Sequence, residues 1–350
     1  MNDDILKEDI CNLAQSQILE DLPESASVLI TGATGLICSQ IIWALACHGV
    51  AKQKNIQVLA LVRNEKKARS MFGDLIDAGL VTLCVGDIVN PLKIEQNVDF
   101  IIHGASATSS LFFVEKPVET IVTALQGTQN MLELAKEKQV DSFVYLSSME
   151  AYGSPTEEQL LTEKSGAYFD SMSVRSCYPE SKRMCESLCA AYTAEYGVPG
   201  KVVRLSQTFG PGVSKDDVRV FADFARKAVN GEDIVMQTKG DSCRMYLYTM
   251  DAVAAILTVL LKGKNGECYN AANKETYCSI KEMAELVSAT LSGGKSKVTM
   301  QIDEENIKKY PPAHKLKLDT ARLESLNWQP ERGLRDMFIR LAESMSKECI

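Results

Sequence analysis

The chain has 350 residues, 45% of them hydrophobic, with a formal net charge of -8; this suits one large α/β unit, or a core domain with a smaller lobe, and supplies enough apolar side chains for a sizeable core. An acidic balance argues against nucleic acid or an anionic membrane as partner, although a few arginines can still hold a small phosphorylated ligand. The opening MNDDILKEDI lacks the basic start and apolar stretch of a signal peptide, and eleven cysteines, odd in number and irregular in spacing, read as reduced thiols of a cytoplasmic chain.

Residues 1–26 read as a helical leader without a recognisable function. A short apolar strand follows at Val28–Thr31, then a helix over Gly35–Cys47, a strand at Gln57–Val62 and a helix over Glu65–Phe72. Further strands are predicted at Val81–Val85, Phe100–His103, Ser142–Leu146 and Lys201–Arg204, with long helices over Val118–Lys138 and Pro179–Tyr196. Strands alternating with helices imply a doubly wound parallel sheet covered on both faces.

Beyond Gly210 the rhythm changes: helices over Val218–Asn230, Asp251–Leu261, Ser279–Leu291 and Gly333–Ser346 mix with short strands near Ile234–Val235 and Arg244–Tyr248. The division expected is a leader (1–26), a sheet domain (27–205) and a smaller lobe (206–350), some segments of which return to the sheet domain. The longest apolar run, Ala252–Leu261, is too short to span a bilayer. Cys185 and Cys189 lie four apart in a helical pattern as small apolar fillers. His48, His103 and His314 have no zinc spacing to any cysteine, so no metal site is expected.

Thr31-Gly32-Ala33-Thr34-Gly35-Leu36-Ile37-Cys38 joins the first strand to its helix. Glycines there let the backbone turn tightly and approach a pyrophosphate, and the helix N-terminus offers free N–H groups to anionic oxygens. TGATGLICSQ resembles the T-G-x-x-G-x-x-G loop of the extended short-chain dehydrogenases/reductases, the NAD-dependent epimerase/dehydratase family of sugar-nucleotide-modifying enzymes. Cys38 stands where the third glycine is usual. Gly86-Asp87-Ile88 resembles the strand-end aspartate of that family, and His103-Gly104-Ala105-Ser106 its segment beside the cofactor. The resemblance implies a Rossmann-type dinucleotide-binding domain over 27–205 and a substrate-binding lobe after it. It places Gly32, Thr34, Gly35, Leu36, Ile37, Arg63, Asp87, Ile88 and Ala105 around the cofactor, with His103 packed at a strand end.

Tyr178-Pro179-Glu180-Ser181-Lys182 puts a phenol and an ammonium one turn apart on one helix face. A phenol with an ordinary pKa of about 10 is a poor base at neutral pH, and a nearby ammonium lowers that value. Val144–Gly153 resembles the family's strand-end S-S-x-x-x-Y-G segment, with Ser148 as the hydroxyl that orients the reacting alcohol. Glu150 stands where sugar-nucleotide 4,6-dehydratases and UDP-glucuronate decarboxylases carry a glutamate. Met149 stands where dehydratases often carry an aspartate that protonates the leaving hydroxyl, and a thioether cannot do so. The resemblance therefore implies Ser148, Tyr178, Lys182 and Glu150 as the catalytic set, with Tyr178 and Lys182 also touching the cofactor.

Val203–Gly212 resembles the family's R-x-x-N-x-Y-G-P, with Gln207 for the substrate-contacting asparagine. Gly240–Asp251 resembles G-x-x-x-R-x-F-x-Y-V-x-D, whose arginine, here Arg244, grips a nucleotide diphosphate with paired donors. Arg219 is a further candidate, so the expected substrate contacts are Ser148, Met149, Glu150, Gln207, Arg219 and Arg244. The resemblance implies oxidation at C4 of a nucleotide-linked sugar to a 4-keto intermediate, and a homodimer formed through the Y-x-x-x-K helix and its neighbour. An NADP-dependent ketone or aldehyde reductase of the same fold is the alternative, and a non-catalytic cofactor sensor a third. The second strand ends Val62-Arg63-Asn64, without the acidic residue that binds ribose hydroxyls, so Arg63 with Lys66 or Lys67 leaves NADP open. NAD is placed ahead because the Ser148–Glu150 and Arg244 segments match redox-neutral enzymes.

Overall fold

The structure, a computed structural model, describes residues 3–107, 110–302 and 313–347; the first two residues of the leader lie outside them. Val28, Leu29 and Ile30 are fully buried, and the strand that carries them, Ser25–Thr31, sits inside a seven-stranded parallel sheet. Across that sheet the strands run Cys268–Ala271, Gly200–Leu205, Ser142–Ser148, Phe100–His103, Ser25–Thr31, Asn55–Val62 and Val81–Val85. Near-continuous apolar runs such as Val58–Val62 belong to strands covered on both faces. Alternation divides them: Val28 and Ile30 meet Ile41, Ile42 and Ala46 on one face, while Leu29 meets Leu132, Ala135 and Phe143 on the other.

Helices Leu36–Lys52 and Thr249–Lys262 cover the first face, and Pro117–Lys138 with Cys177–Tyr196 the second. Strand order reverses between Phe100–His103 and Ser25–Thr31, so their onward connections leave in opposite directions and open a crevice at the carboxyl ends. That crevice lies against a second sheet, in which Asn273–Ser279, Cys243–Tyr248, Lys315–Leu318 and Leu160–Leu161 lie side by side and Gln207–Phe209 pairs with Tyr246–Tyr248.

The chain crosses the expected division at residue 205 in both directions. Leu160–Leu161 leaves the sheet domain to pair with Lys317 and Leu318, and Cys268–Ala271 returns to form the large sheet's edge. The leader has a structural task that its sequence did not reveal. Its helix, Asp4–Ala14, packs on Leu36–Lys52, and its buried Asp9 accepts from Arg340 Nη2 at 2.7 Å. The Tyr248 hydroxyl donates to Asp9 and accepts from Arg340 Nε at 2.8 Å, so both chain ends are tied to the lobe sheet.

Trp328 is core, and its indole N–H donates to the Asp251 carbonyl at 3.2 Å. The Asp251 carboxylate accepts from the Arg332 N–H at 3.2 Å, yet burial pushes its pKa up to about 7. A carboxyl whose folded pKa exceeds its unfolded value contributes stability below the unfolded value of 3.8 and loses it as pH rises to about 7. Relative to Asp251→Asn, the wild-type chain is therefore expected to lose roughly 1.4 kcal/mol of stability per pH unit across that window and none above it. Denaturant titrations of both proteins from pH 5 to 8 check this; a constant difference between them would refute it.

Candidate active site

At the crevice the chain turns out of the first strand through Gly32, whose φ is +67°. A Cβ on Gly32 would lie 2.8 Å from the Ala105 nitrogen and from the Gly104 carbonyl carbon, so only glycine admits the turn this close to the next connection. Thr31 Oγ1 accepts from the Ala105 N–H at 3.1 Å and sits 2.7 Å from His103 Nδ1, which stitches the two strand ends together. Gly35 then opens helix Leu36–Lys52 with no side chain capping its first N–H groups. A glycine cradle facing uncapped helix donors fits a dinucleotide's diphosphate, with Thr34, Gly35, Leu36 and Ile37 around it.

Cys38, in place of the third glycine, is buried, and burial pushes its thiol up to about 12, where it stays protonated and inert. The room it takes is given back by Gly104, where a Cβ would fall 2.4 Å from Cys38 Sγ. Farther along, Asp87 Oδ1 accepts from the Val89 N–H at 3.2 Å, and Ile88 is buried against Gly127. Arg63, the residue that left NADP open, is exposed and leans toward Asp87 Oδ2 at 3.9 Å.

Ser148 ends the strand next to His103, and its hydroxyl accepts from the Glu150 N–H at 3.2 Å, which caps the short turn Met149–Tyr152. The same hydroxyl acts on the Tyr178 phenol and lowers its pKa. Tyr178 and Lys182 lie in the first turns of helix Cys177–Tyr196, both buried. Lys182 Nζ donates to the Leu146 carbonyl at 2.7 Å, and its charge is felt by both Cys38 and His103. Phenol, ammonium and alcohol thus converge at the strand ends beside the glycine turn.

Their electrostatics differ from expectation in one respect. Lys182 Nζ stands 5.7 Å from the Tyr178 ring centroid, and it is Ser148 and Arg175 that lower the phenol's pKa. Burial, followed by the Glu150 carboxylate, outweighs them and raises it above its ordinary value. Burial also lowers Lys182 to about 8. His103 packs at its strand end, contacts Thr128 at 3.2 Å, and is held neutral by burial at about 3.

Glu150 reaches the site, and its partner is a residue the sequence reading passed over. Arg175 Nη2 donates to Glu150 Oε2 at 2.7 Å. The Arg175 guanidinium stands 4.9 Å over the Phe113 ring, and Phe113 stacks on Tyr178 with centroids 4.2 Å apart. Behind the catalytic helix, Glu186 accepts from Arg204 at 2.6 and 2.9 Å and from the Ser147 hydroxyl at 2.5 Å. Glu186 lies one turn after Lys182, so this buried pair fixes the helix against the strands carrying Ser148 and Arg204. The spacing of Arg175 and Glu186 from the Y-x-x-x-K pair was a readable signal; Phe113 offered none.

The substrate-side candidates are less uniform. Arg244 lies in the lobe sheet with Nη2 3.0 Å from His314 Nε2, while its buried Nε has no hydrogen-bond partner among the described residues. An unmatched buried guanidinium N–H is the kind of donor an anionic oxygen satisfies. Gln207 is half-buried at the start of a strand paired with Tyr246. Arg219 is bonded to Asp217 at 2.5 Å and exposed. Met149 is buried in an apolar cluster with Tyr152, Leu161, Met245 and Leu318. The Ser148 cap holds the backbone of the next residue, Glu150, by its N–H.

The model of the NAD dependent epimerase/dehydratase family matches residues 28–272. UDP-glucuronic acid decarboxylase 6 of Arabidopsis thaliana is 31% identical over 310 residues, covering 88% of this chain and 85% of that protein. UDP-glucuronic acid decarboxylase 1 of Xenopus tropicalis is 32% identical over 253 residues, covering 71% of this chain and 57% of that protein. Among solved structures, UDP-glucose 4-epimerase of Thermotoga maritima with UDP-glucose shares the fold at a TM-score of 0.77 and 19% identity, covering 93% of this chain and 100% of that one. UDP-glucuronic acid 4-epimerase of Bacillus cereus in complex with UDP-glucuronic acid and NAD does so at 0.74 and 20%, covering 92% and 99%.

The Cys38–Gly104 contact yields a prediction about cofactor binding. Gly104→Ala is expected to weaken NADH binding and to destabilise the chain by about 1–3 kcal/mol through overpacking. Adding Cys38→Ala should restore most of both losses. Fluorescence titration with NADH and thermal unfolding of the two single variants and the double variant check it; strictly additive effects would refute the coupling.

Proposed function

This chain belongs to the NAD dependent epimerase/dehydratase family, and we propose that within it the protein decarboxylates a nucleotide-linked hexuronic acid through a 4-keto intermediate. The observation that carries the reading is the Ser148-Met149-Glu150 turn. Ser148 and the Glu150 carboxylate both act on the Tyr178 phenol, while Met149 puts a thioether where an aspartate would protonate a leaving C6 hydroxyl. Carbon dioxide leaves without that proton. The curated relatives named above are UDP-glucuronic acid decarboxylases, which points to a UDP-linked uronic acid as substrate.

Bound NAD supplies the acceptor that takes up and later returns a hydride. The glycine turn at Gly32–Gly35 and the Leu36 helix terminus hold its diphosphate, and Asp87, Ile88 and Ala105 line its course. Tyr178 receives the proton of the C4 hydroxyl, which Ser148 orients by a hydrogen bond. Lys182, lowered by burial to about 8, would bind the nicotinamide ribose, while Ser148 and Arg175 favour the phenolate. With a ketone at C4, the C5–C6 bond breaks, its electron pair moves toward the keto oxygen, and carbon dioxide departs. A proton drawn from solvent is added at C5, with Glu150 placed to relay it, and Tyr178 then returns its proton to the C4 oxygen. Arg244 holds the nucleotide diphosphate through its unmatched Nε, with Gln207 beside it in the paired strand.

We also propose a homodimer and a cytoplasmic setting. Leu111, Val114, Val118, Ile121 and Val122 form an exposed apolar stripe at helical spacing along helices Ser110–Glu115 and Pro117–Lys138, and Met184 continues it on the catalytic helix. A second copy of the chain, docked by the same face, covers it. The ten described cysteines are all thiols, as a reducing compartment keeps them. Among the described residues no helix is long and apolar enough to cross a membrane.

The protein supplied with NAD and UDP-glucuronate is expected to release carbon dioxide and form a UDP-pentose, detected by mass spectrometry. Tyr178→Phe should lower turnover by roughly 10²–10⁴-fold while leaving nucleotide-sugar binding largely intact. Release of a 4-epimer with no carbon dioxide would replace this reading with epimerisation. For the dimer, Val118→Glu combined with Val122→Glu should halve the mass measured by light scattering, and an unchanged mass would remove the proposed face.

A further inference from the structure

We propose that Arg175 is the specificity residue for the sugar's C6 carboxylate, exchanging its partner Glu150 for the carboxylate of the bound substrate. The inference rests on the decarboxylation reading and deepens it by naming the side chain that tells a uronic acid from a neutral hexose. Arg175 lies in the short turn Val174–Ser176 that leads into the catalytic helix. Its guanidinium stands over the Phe113 ring, which stacks on Tyr178, so aromatic contact holds it near the reacting centre. Phe113 is itself fixed, since its carbonyl accepts from the Cys177 thiol at 3.2 Å and its ring is buried. The guanidinium is therefore held in place even without Glu150.

Its bond to Glu150 uses one nitrogen, and its other donors have no hydrogen-bond partner among the described residues. Arg175 and Glu150 keep 38% and 35% of their side-chain surface exposed, so their pairing is one that water and a competing anion can exchange at little cost. A guanidinium offers paired donors in a fixed fork that matches a carboxylate. A substrate carboxylate entering beside Tyr178 can take the unused donors while Glu150 moves toward C5. A hydroxymethyl group at C6 brings no charge and no reason for Glu150 to yield. Firm pairing stabilises the intact carboxylate as well as positioning it, so Arg175 governs binding more than the bond-breaking step.

The test is calorimetric titration of the NAD-loaded protein with UDP-glucuronate and with UDP-glucose, in the wild type, Arg175→Gln and Arg175→Lys, together with carbon dioxide release. Arg175→Gln is expected to weaken UDP-glucuronate about tenfold or more while changing UDP-glucose less than about twofold. The loss in turnover should fall on KM more than on kcat, and Arg175→Lys, which keeps the charge but not the fork, should lie between. Unchanged UDP-glucose binding also reports that the variant is folded. If the wild type decarboxylates UDP-glucuronate but Arg175→Gln keeps its preference over UDP-glucose, or loses both ligands equally, the inference fails alone. If the wild type neither binds nor decarboxylates UDP-glucuronate, the functional reading fails and takes the inference with it.

Discussion

The approach of two backbone segments at the strand-order reversal is the constraint on which the site depends. Gly32, leaving the first strand, lies against Gly104 and Ala105, leaving the fourth, at a distance that no Cβ on Gly32 tolerates. Thr31 holds the contact from within by accepting from Ala105. This proximity leaves the Leu36 helix terminus open above the crevice, and it also sets how far the third loop position can intrude. Cys38 is accommodated because the facing residue, Gly104, has no side chain. A departure from the family's loop pattern is thus absorbed within one contact, and the cradle is kept.

Around that crevice the catalytic groups are buried more completely than they are paired. Burial holds Tyr178 in its phenol form and brings Lys182 down toward neutral pH, so neither charge is secured in advance. The helix carrying both is instead fixed from behind, where Glu186 ties it to Ser147 and Arg204. Rigidity comes from a fully bonded ion pair away from the chemistry, and the groups that exchange protons keep freedom to change state. The more exposed Glu150–Arg175 pair lies on the substrate side, where exchange of partners is useful.

The turn after Ser148 shows how one local structure divides reaction types. Its first residue caps the turn and lowers the phenol's pKa, its second is drawn into the apolar lobe contact with Met245 and Leu318, and the carboxylate of its third raises it. A side chain buried at the second position cannot serve as an acid there. What the turn supplies is the Glu150 carboxylate, with a thioether in place of an acid at the second position, an arrangement that suits the proposed loss of carbon dioxide.

The sheet strands from Val28 to Arg204 and the Tyr178–Lys182 pair were legible in the sequence because they rest on local signals: apolar runs, helix periodicity, and glycines where a turn must open. The strand Lys315–Leu318 carried such a signal too, since Leu316 and Leu318 alternate with lysines and are the two that become buried. Cys268–Ala271 did not, because an edge strand with Asn270 at its centre is made by pairing with Gly200–Leu205 and not by its own pattern. The same holds for Asp9 with Arg340, for Phe113 on Tyr178 and for Cys38 against Gly104. The sequence alone determined which residue types were present, and at what spacing, to bind a dinucleotide and move a proton. Tertiary structure alone decided which charges are buried, which are matched, and which side chains face the cleft, because those depend on contacts between segments that no local pattern encodes.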